Sequence, residues 1–212
     1  MFSDKFLLTQ AVLDGRKTQA RGLIKCRKTF KGEWVAGFNI HIRPSDKKVV
    51  GLPCMYDADE SEFDGGEILP KYKVGEVVAV AQSYRDCDGV NEDGVPMWEI
   101  ISQKVGGINA GWDNKRFVDS SLMPHQIRIT DVCVERLQDI SDECCLKEGI
   151  IKKWHAPACK NYYYVPGVEV KSVKDVHDTP QEAFAHLINK VSRKDVWQEN
   201  PYVFAYDFEL VK

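Results

Sequence analysis

The stretch PYVFAYDFELV, residues 201–211, places an apolar or aromatic side chain at every second position. Such alternation is typical of a β-strand that buries one face, and aromatic residues favour strands. The sequence therefore predicts a strand here whose buried face carries Tyr202, Phe204, Tyr206, Phe208 and Leu210.

A second long strand is predicted in HQIRITDVCVERL, residues 125–137. Ile127 and Ile129 alternate in one phase, whereas Val132 and Val134 alternate in the other. A change of phase within one strand indicates an extra residue, so we expect a β-bulge at Thr130–Asp131.

Shorter strands are expected elsewhere in the chain. Residues 17–24 can run extended, WVAGFNIHI at 34–42 alternates like a half-buried strand, and a turn at Val74–Gly75 leads into a buried strand over 76–84. Residues 86–96 are predicted to form a loop. Residues 98–124 and 154–178, the latter with three consecutive tyrosines, show little regular pattern and are expected to be irregular.

Three helices have clear boundary signals. The first spans residues 4–13 with Gly15 just beyond its end, and the second follows Ser141 as N-cap and carries Leu146, Glu148 and Ile150. The third begins at the capping box Thr179-Pro180-Gln181-Glu182 and buries a face formed by Phe184, Leu187, Ile188 and Val191.

Strands outnumber helices in this order, and helices do not regularly separate them. That arrangement argues against a parallel α/β sheet and favours an α+β fold, a small mixed β-barrel with flanking helices. The length of 212 residues suits one domain.

The composition is that of a globular protein, with 43% hydrophobic and 29% charged residues and a formal net charge of −3. Asp4 interrupts the apolar character of the first residues, so no signal peptide is predicted. The longest compact apolar run, VVAVA at 77–81, is too short to cross a bilayer. We expect a cytoplasmic protein that does not insert into a membrane.

Seven cysteines without an export signal predict reduced thiols rather than a disulfide framework. The nearest approach to a zinc site is Cys144-Cys145 with His155 and Cys159 downstream, and adjacent cysteines are poorly placed to share one tetrahedral ion. Neither a metal nor a cofactor is predicted.

Charge is unevenly distributed along the chain. Residues 16–31 hold seven cations and no acid, whereas residues 57–67 hold six acids and no base. Solvated faces or loops account for both in the simplest interpretation. The cations Arg16, Lys17 and Arg21 follow a helix end, however, and their donors suit a phosphate or the carbonyl edge of a base.

Four ordered motifs resemble the ASCH domains, a branch of the PUA-like β-barrels. These are the helix exit with Gly15, Lys17, Thr18 and Arg21, the strand VGEVVAVAQSY at 74–84, the strand and helix around DISDE at 139–148, and the terminal NPYVFAYDFELVK. The resemblance implies one PUA-like barrel over residues 1–212, with insertions at 25–70, 86–120 and 154–178.

The resemblance also implies a basic cleft that binds RNA, a nucleotide or a modified nucleoside. Carried over to this chain, the ligand-binding residues would be Gly15, Arg16, Lys17, Thr18, Arg21 and Glu148. Trp34, Trp98, Trp112 and the tyrosine run at 162–164 are candidates to stack a base, although packing is the more ordinary role of a tryptophan.

Some small ASCH proteins resemble amidohydrolases that deacetylate N4-acetylcytidine with a lysine, a threonine and a glutamate. Lys17 and Glu148 match two of these residues, but Ala20 stands at the threonine position, and a methyl group cannot act as a nucleophile. Thr18 shares a face with Ala20 in an extended segment, so a catalytic set of Lys17, Thr18 and Glu148 stays open. A third alternative is a protein-interaction module that uses the acidic loop and the tyrosine-rich segment.

Overall fold

The computed structural model describes residues 2–87, 89–91, 93–172 and 175–211. In chain order its helices are α1 (Leu8–Leu13), α2 (Met97–Val105), α3 (Asp142–Lys147), α4 (Pro180–Ser192) and α5 (Val196–Glu199). Its strands are β1 (Gln19–Leu23), β2 (Thr29–Phe30), β3 (Glu33–Trp34), β4 (Gly37–Asn39), β5 (Cys54–Tyr56), β6 (Glu62–Glu67), β7 (Val77–Ala79), β8 (Gln126–Arg136), β9 (Ile151–His155), β10 (Lys160–Tyr164) and β11 (Tyr202–Leu210).

The main sheet has four antiparallel strands in the order β1-β11-β8-β7 and curls into a half-barrel. The predicted α+β class is confirmed, and the barrel takes this half-barrel form. Among the described residues, the ranges 25–70, 86–120 and 154–178 contribute no strand to this sheet. Two of the smaller sheets, β2-β3 and β4-β5-β6, lie in the range 25–70, and the third, the β9–β10 hairpin, begins at Ile151 and extends into the range 154–178.

The two predicted long strands, β8 and β11, form the middle of the sheet. Asp207 pairs with Asp131 and Phe208 pairs with Ile129, so Thr130 is the extra residue of a β-bulge at the predicted place. Because β11 is an inner strand, its central part is buried on both faces, with Val203 in one core cluster and Phe204 in another. The prediction that only one face is buried is therefore wrong at Val203 and Ala205, and Leu210 at the end of the strand is 39% exposed.

Two other predicted strands are shorter than expected. The strand predicted over 76–84 has ladder pairing only from Val77 to Ala79, and the chain turns into a short 3₁₀ helix at Tyr84–Asp86. The strand predicted over 34–42 is divided between two sheets, since β3 pairs with β2 and β4 pairs with β5. Gly37, the first residue of β4, lies close to the Tyr56 side chain, since a Cβ there would be 2.5 Å from the Tyr56 hydroxyl.

Both segments expected to be irregular contain regular structure. Residues 97–105 form α2, whose Met97, Ile101 and Val105 recur at every fourth position and pack in a third core cluster. Residues 151–164 form the antiparallel β9–β10 hairpin. The predictions were wrong because in each segment only one narrow face is apolar, so periodicity was weak.

The capping signals are found where they were predicted, but three details differ. Helix α1 begins at Leu8 after a separate 3₁₀ turn at Asp4–Phe6, Ile150 lies beyond the end of α3, and Val191 on α4 is 44% exposed. Gly15 adopts a left-handed φ of 70° after α1, and the Ser141 side chain accepts a hydrogen bond from the Cys144 N–H. The capping box of Thr179 and Glu182 is formed at the start of α4. Helices α3 and α4 pack on one face of the sheet around Phe184 and Val203, whereas α1 contributes Val12 to the cluster on the other face.

None of the helices in the described ranges is both long and apolar enough to cross a membrane. Within the same ranges, no three His, Cys, Asp or Glu side chains are grouped so that they could hold a metal ion.

Candidate functional site: a buried ion-pair network

Lys17 is buried where the chain turns from α1 into β1. Its backbone N–H donates to the carbonyl of Ala11 at 2.8 Å, and the next N–H, of Thr18, donates to the carbonyl of Lys147 at 2.9 Å. These bonds bring the segment against the end of α3, where Glu148 is the C-cap. Gly149 follows with a φ of 104°, a conformation that favours glycine.

Glu148 binds two cations with its two carboxylate oxygens. The Lys17 Nζ donates to Glu148 Oε2 and, at 2.9 Å, to the Glu148 backbone carbonyl. The Arg21 Nη1 donates to Glu148 Oε1 at 2.9 Å. The Lys17, Arg21 and Glu148 side chains are only 3%, 2% and 6% exposed, so this contact is shielded from water.

Arg21 extends the network to a second carboxylate. Its Nε and Nη2 lie 2.8 Å and 2.7 Å from Glu135 Oε1, and its Nη1 donates weakly to Gln19 Oε1 at 3.4 Å. Glu135 belongs to β8 and is 26% exposed. We call Lys17, Glu148, Arg21 and Glu135 the ion-pair network, which is closed at Lys17 and open to solvent at Glu135.

The network is electrically balanced, with two cations and two carboxylates. Burial lowers the pKa of Lys17, and the attraction of Glu148 opposes that effect. Burial would also lower the pKa of Arg21, but Glu148 and Glu135 together outweigh it and raise this pKa. Burying these charges costs free energy, which their ion pairs and hydrogen bonds offset.

The structure brings together only part of the predicted site. Lys17, Arg21 and Glu148 meet, whereas Gly15 is exposed and the Arg16 side chain, 45% exposed, pairs with Asp14 at 2.9 Å. Glu148 and Glu135 pair with the two buried cations, so Lys17 and Arg21 form no unpaired positive surface here, and the basic cleft stays a prediction.

Ala20 lies on the other face of β1 from Arg21. It pairs with Tyr206 and packs against the cluster of Phe204, Tyr206 and Phe208. The Thr18 carbonyl accepts from the Phe208 N–H at 2.9 Å, so the ladder pattern places Thr18 on the Ala20 side. In the described part of the chain, no hydroxyl group hydrogen-bonds to a side chain of the network.

Two cysteines next to the network are not activated. Burial, together with Glu135 and Asp131, raises the pKa of Cys133 to about 11. Burial raises the pKa of Cys145 to about 12, although Arg21 opposes the effect. Because the thiolate is the reactive form, neither cysteine is a nucleophile at neutral pH.

Glu135 and Gln19 were missed by the sequence reasoning. Alternation after the bulge places Glu135 opposite the apolar face of Val132 and Val134, which marks it as a polar-face residue but does not identify its partner. The pairing with Arg21 depends on β11 lying between the two strands, which no local pattern shows.

The residues proposed to stack a base lie in elements other than those that carry the network: Trp34 in β3, Trp98 in α2 and Tyr162–Tyr164 in β10. Trp34 and Trp98 are 62% and 47% exposed, and Trp112 packs against the third core cluster. Two surface grooves are lined by residues outside the network. One of about 190 Å³ is lined by Leu52, Val132 and Phe204 among others, and one of about 290 Å³ lies beside Lys153 and Tyr164.

Comparison of the chain with protein-family models, with curated proteins and with solved structures gives no match.

Proposed function

We propose that the chain binds a nucleoside, either free or within a nucleotide or RNA, at the open end of the ion-pair network. The observation that carries the proposal is the Arg21–Glu135 pair, a guanidinium 2.7 Å from a carboxylate that is 26% exposed. The resemblance of the Gly15–Arg21 segment to ASCH domains supports the same ligand class.

The cost of the network favours a functional role. Replacing a buried ion pair by apolar residues is often neutral or stabilising, so packing alone does not require four charged side chains here. Charged groups held in fixed positions are also a common feature of binding and catalytic sites.

The charge balance selects the kind of ligand. At the opening, the Glu135 carboxylate offers oxygen acceptors and is held in place by the buried Arg21 guanidinium. The edge of a nucleobase presents donors and acceptors together, whereas a phosphate would be repelled by the Glu135 carboxylate at the opening. We therefore expect recognition through the base.

The test measures binding of cytidine, N4-acetylcytidine, uridine, adenosine and guanosine by calorimetry or ligand-observed NMR. We expect the native chain to bind at least one nucleoside and Glu135→Gln to weaken that binding by at least about 10-fold, the effect of losing a charged hydrogen bond worth about 1.5–3 kcal/mol. Inorganic phosphate should not compete.

The matched control is Arg16→Ala, which removes a neighbouring exposed cation outside the network. It should bind the nucleoside like the native chain. Absence of binding to the whole panel, or equal binding by native protein and Glu135→Gln, would overturn the proposal.

A second candidate function is amide hydrolysis of an N4-acylated cytidine. The observation that favours it is Lys17, a buried lysine hydrogen-bonded to Glu148, whose pKa is lowered mainly by burial. Such a lysine can act as a general base. Since no hydroxyl among the described residues is bonded to the network and Lys17 itself is shielded from water, a water molecule admitted at the Glu135 end would attack the acyl carbon and yield the carboxylic acid and cytidine.

Mass spectrometry of N4-acetylcytidine after incubation with the protein tests this candidate. We expect free cytidine with the native chain and its loss in Lys17→Met, a variant that keeps the length of the side chain. Circular dichroism checks that Lys17→Met folds. If no cytidine forms with the native chain, hydrolysis of this substrate is rejected and the binding proposal stands by itself.

A further inference from the structure

The β9–β10 hairpin has an unbalanced positive charge in a chain whose net charge is −3. Residues 149–168 contain Lys152, Lys153 and Lys160, together with His155, and no Asp or Glu. This charge is carried on a surface hairpin, since all four side chains belong to exposed residues.

One face of the hairpin alternates aromatic rings with cations. The register pairs Lys160 with His155, Tyr162 with Lys153 and Tyr164 with Ile151, so these side chains share a face. The Lys160 Nζ lies 4.6 Å from the centroid of the Tyr162 ring, and the His155 ring packs edge-on against Tyr162 at 5.5 Å. The Lys153 Nζ lies 5.8 Å from the Tyr164 ring.

The cations on this hairpin remain available to a partner. Within the described residues, Lys152 and Lys153 have no carboxylate partner. Lys160 pairs with Asp178 at 2.7 Å, but its side chain is 47% exposed, and such surface pairs exchange readily. The Trp154 side chain on the other face is 62% exposed.

The hairpin is anchored although its charged face is open. Tyr163 packs against the first core cluster, and its backbone exchanges hydrogen bonds of 2.9 Å and 3.0 Å with that of His177. A fixed position lowers the entropy cost of ordering the surface when a ligand binds.

A groove adjoins the same face. It measures about 290 Å³, and its lining combines Lys153 and Tyr164 with the apolar residues Ile151, Val165, Val168 and Val170. This volume is near the lower end of the range of about 300–1,000 Å³ for small-molecule pockets, which suits a single base.

We propose that this hairpin face binds single-stranded nucleic acid, at a site separate from the ion-pair network. Bases stack on Tyr162 and Tyr164, one of them enters the groove, and phosphates lie near Lys153 and Lys160. Aromatic platforms interleaved with cations are how proteins bind single strands without reading sequence. An acidic peptide would use the cations but would leave the rings without a stacking partner.

The test is fluorescence anisotropy with labelled oligo-U RNA and oligo-dT DNA of about 12 nucleotides, within the site sizes known for single-strand binders. A duplex of the same length is measured beside them. We expect both single strands to bind more tightly than the duplex. Two neutralised phosphates, at Lys153 and Lys160, predict a slope of log K against log salt of about −1.4.

Hairpin variants should weaken binding in two distinguishable ways. The double variant Lys153→Ala/Lys160→Ala should reduce the magnitude of the salt slope by about 1.4, since each phosphate contact contributes about 0.7 on single strands. Tyr162→Leu should weaken binding about 5- to 150-fold, the conversion of about 1–3 kcal/mol per stacked base. Tyr162→Phe keeps the ring and should bind like the native chain, which separates stacking from a folding defect.

The matched control is Lys25→Ala with Lys28→Ala, two exposed lysines in the basic segment 16–31. It should leave both affinity and salt slope unchanged. A loss of affinity in the Lys25/Lys28 variant that matches the loss in the hairpin variant would overturn the proposal. Equal binding of the duplex, or equal competition by poly-glutamate, would also overturn it.

Discussion

Lys17 and Lys153 each hold their ammonium group 5.8 Å from the centroid of an aromatic ring, Phe2 in the first case and Tyr164 in the second. Their surroundings are otherwise opposite. The Lys17 side chain is 3% exposed and bound to Glu148, whereas Lys153 is exposed and has no carboxylate partner in the described part of the chain. Lys17 is a buried cation paired with a carboxylate, whereas Lys153 faces solvent.

The difference shows that a cluster of cations in a sequence does not identify a basic surface. Residues 16–31 contain seven cations, but the two that are buried are neutralised because an unpaired charge in the interior is too costly. The β9–β10 hairpin has fewer cations, but Lys152 and Lys153 have no carboxylate partner among the described residues, and the pair of Lys160 with Asp178 is exposed to water. Positive surface is determined by the acids nearby in space.

The largest expected effect comes from removing the central carboxylate of the network. Glu148→Ala leaves Lys17 and part of Arg21 buried without a partner, and we expect a loss of about 3–5 kcal/mol in the free energy of unfolding, measured with urea. The control is Glu143→Ala on the same helix, whose exposed pair with Lys147 should contribute nothing measurable. Equal losses in the two variants would mean that the network is not a buried charge cluster.

An intermediate effect is expected on lowering the pH, at the anchor of the hairpin. The His177 Nε2 and the His186 Nδ1 lie 3.0 Å apart. Burial lowers the pKa of each histidine below its ordinary value of 6.5. His186 lowers the pKa of His177 further, and Lys190 lowers that of His186 further. At acidic pH the folded state therefore binds fewer protons than the unfolded state. The contribution of the neutral histidine pair to the free energy of unfolding is present above pH 6.5 and is lost as the pH falls.

Amide hydrogen exchange measured between about pH 7.5 and pH 5 shows which part of the chain loses stability. After correction for intrinsic exchange, protection of the Tyr163 and His177 amides should decrease, whereas protection of the Thr18 amide beside the network should change less. His186→Gln should remove most of the difference. A uniform decrease at all three amides would show that the histidine pair does not act on the hairpin locally.

The smallest effect is expected one residue away from Lys17. Arg16→Ala removes only an exposed contact with Asp14, and the expected change in the free energy of unfolding is at most about 0.5 kcal/mol. Thermal unfolding of this variant beside Lys17→Met gives the comparison. A loss in Arg16→Ala as large as that in Lys17→Met would place Arg16 in the network.

Much of the secondary structure was predictable because its signals are local. The bulge at Thr130 and the capping box of Thr179 and Glu182 each depend on residues within a few positions of one another. The hairpin at 151–164 was missed because its aromatic and basic residues alternate without a strong apolar face. The candidate site was predicted in part, since Lys17, Arg21 and Glu148 were named but their partner Glu135 was not.

The residue pattern alone was enough to place the long strands, the helix boundaries and the α+β class, since side-chain alternation and capping act over a few residues. The environment of each charge was decided by the tertiary structure. Lys17 meets Glu148 across 131 positions, and Arg21 meets Glu135 across 114. Whether a cation is neutralised or free depends on which acids the fold brings within a few ångströms, and only the packed chain sets those distances.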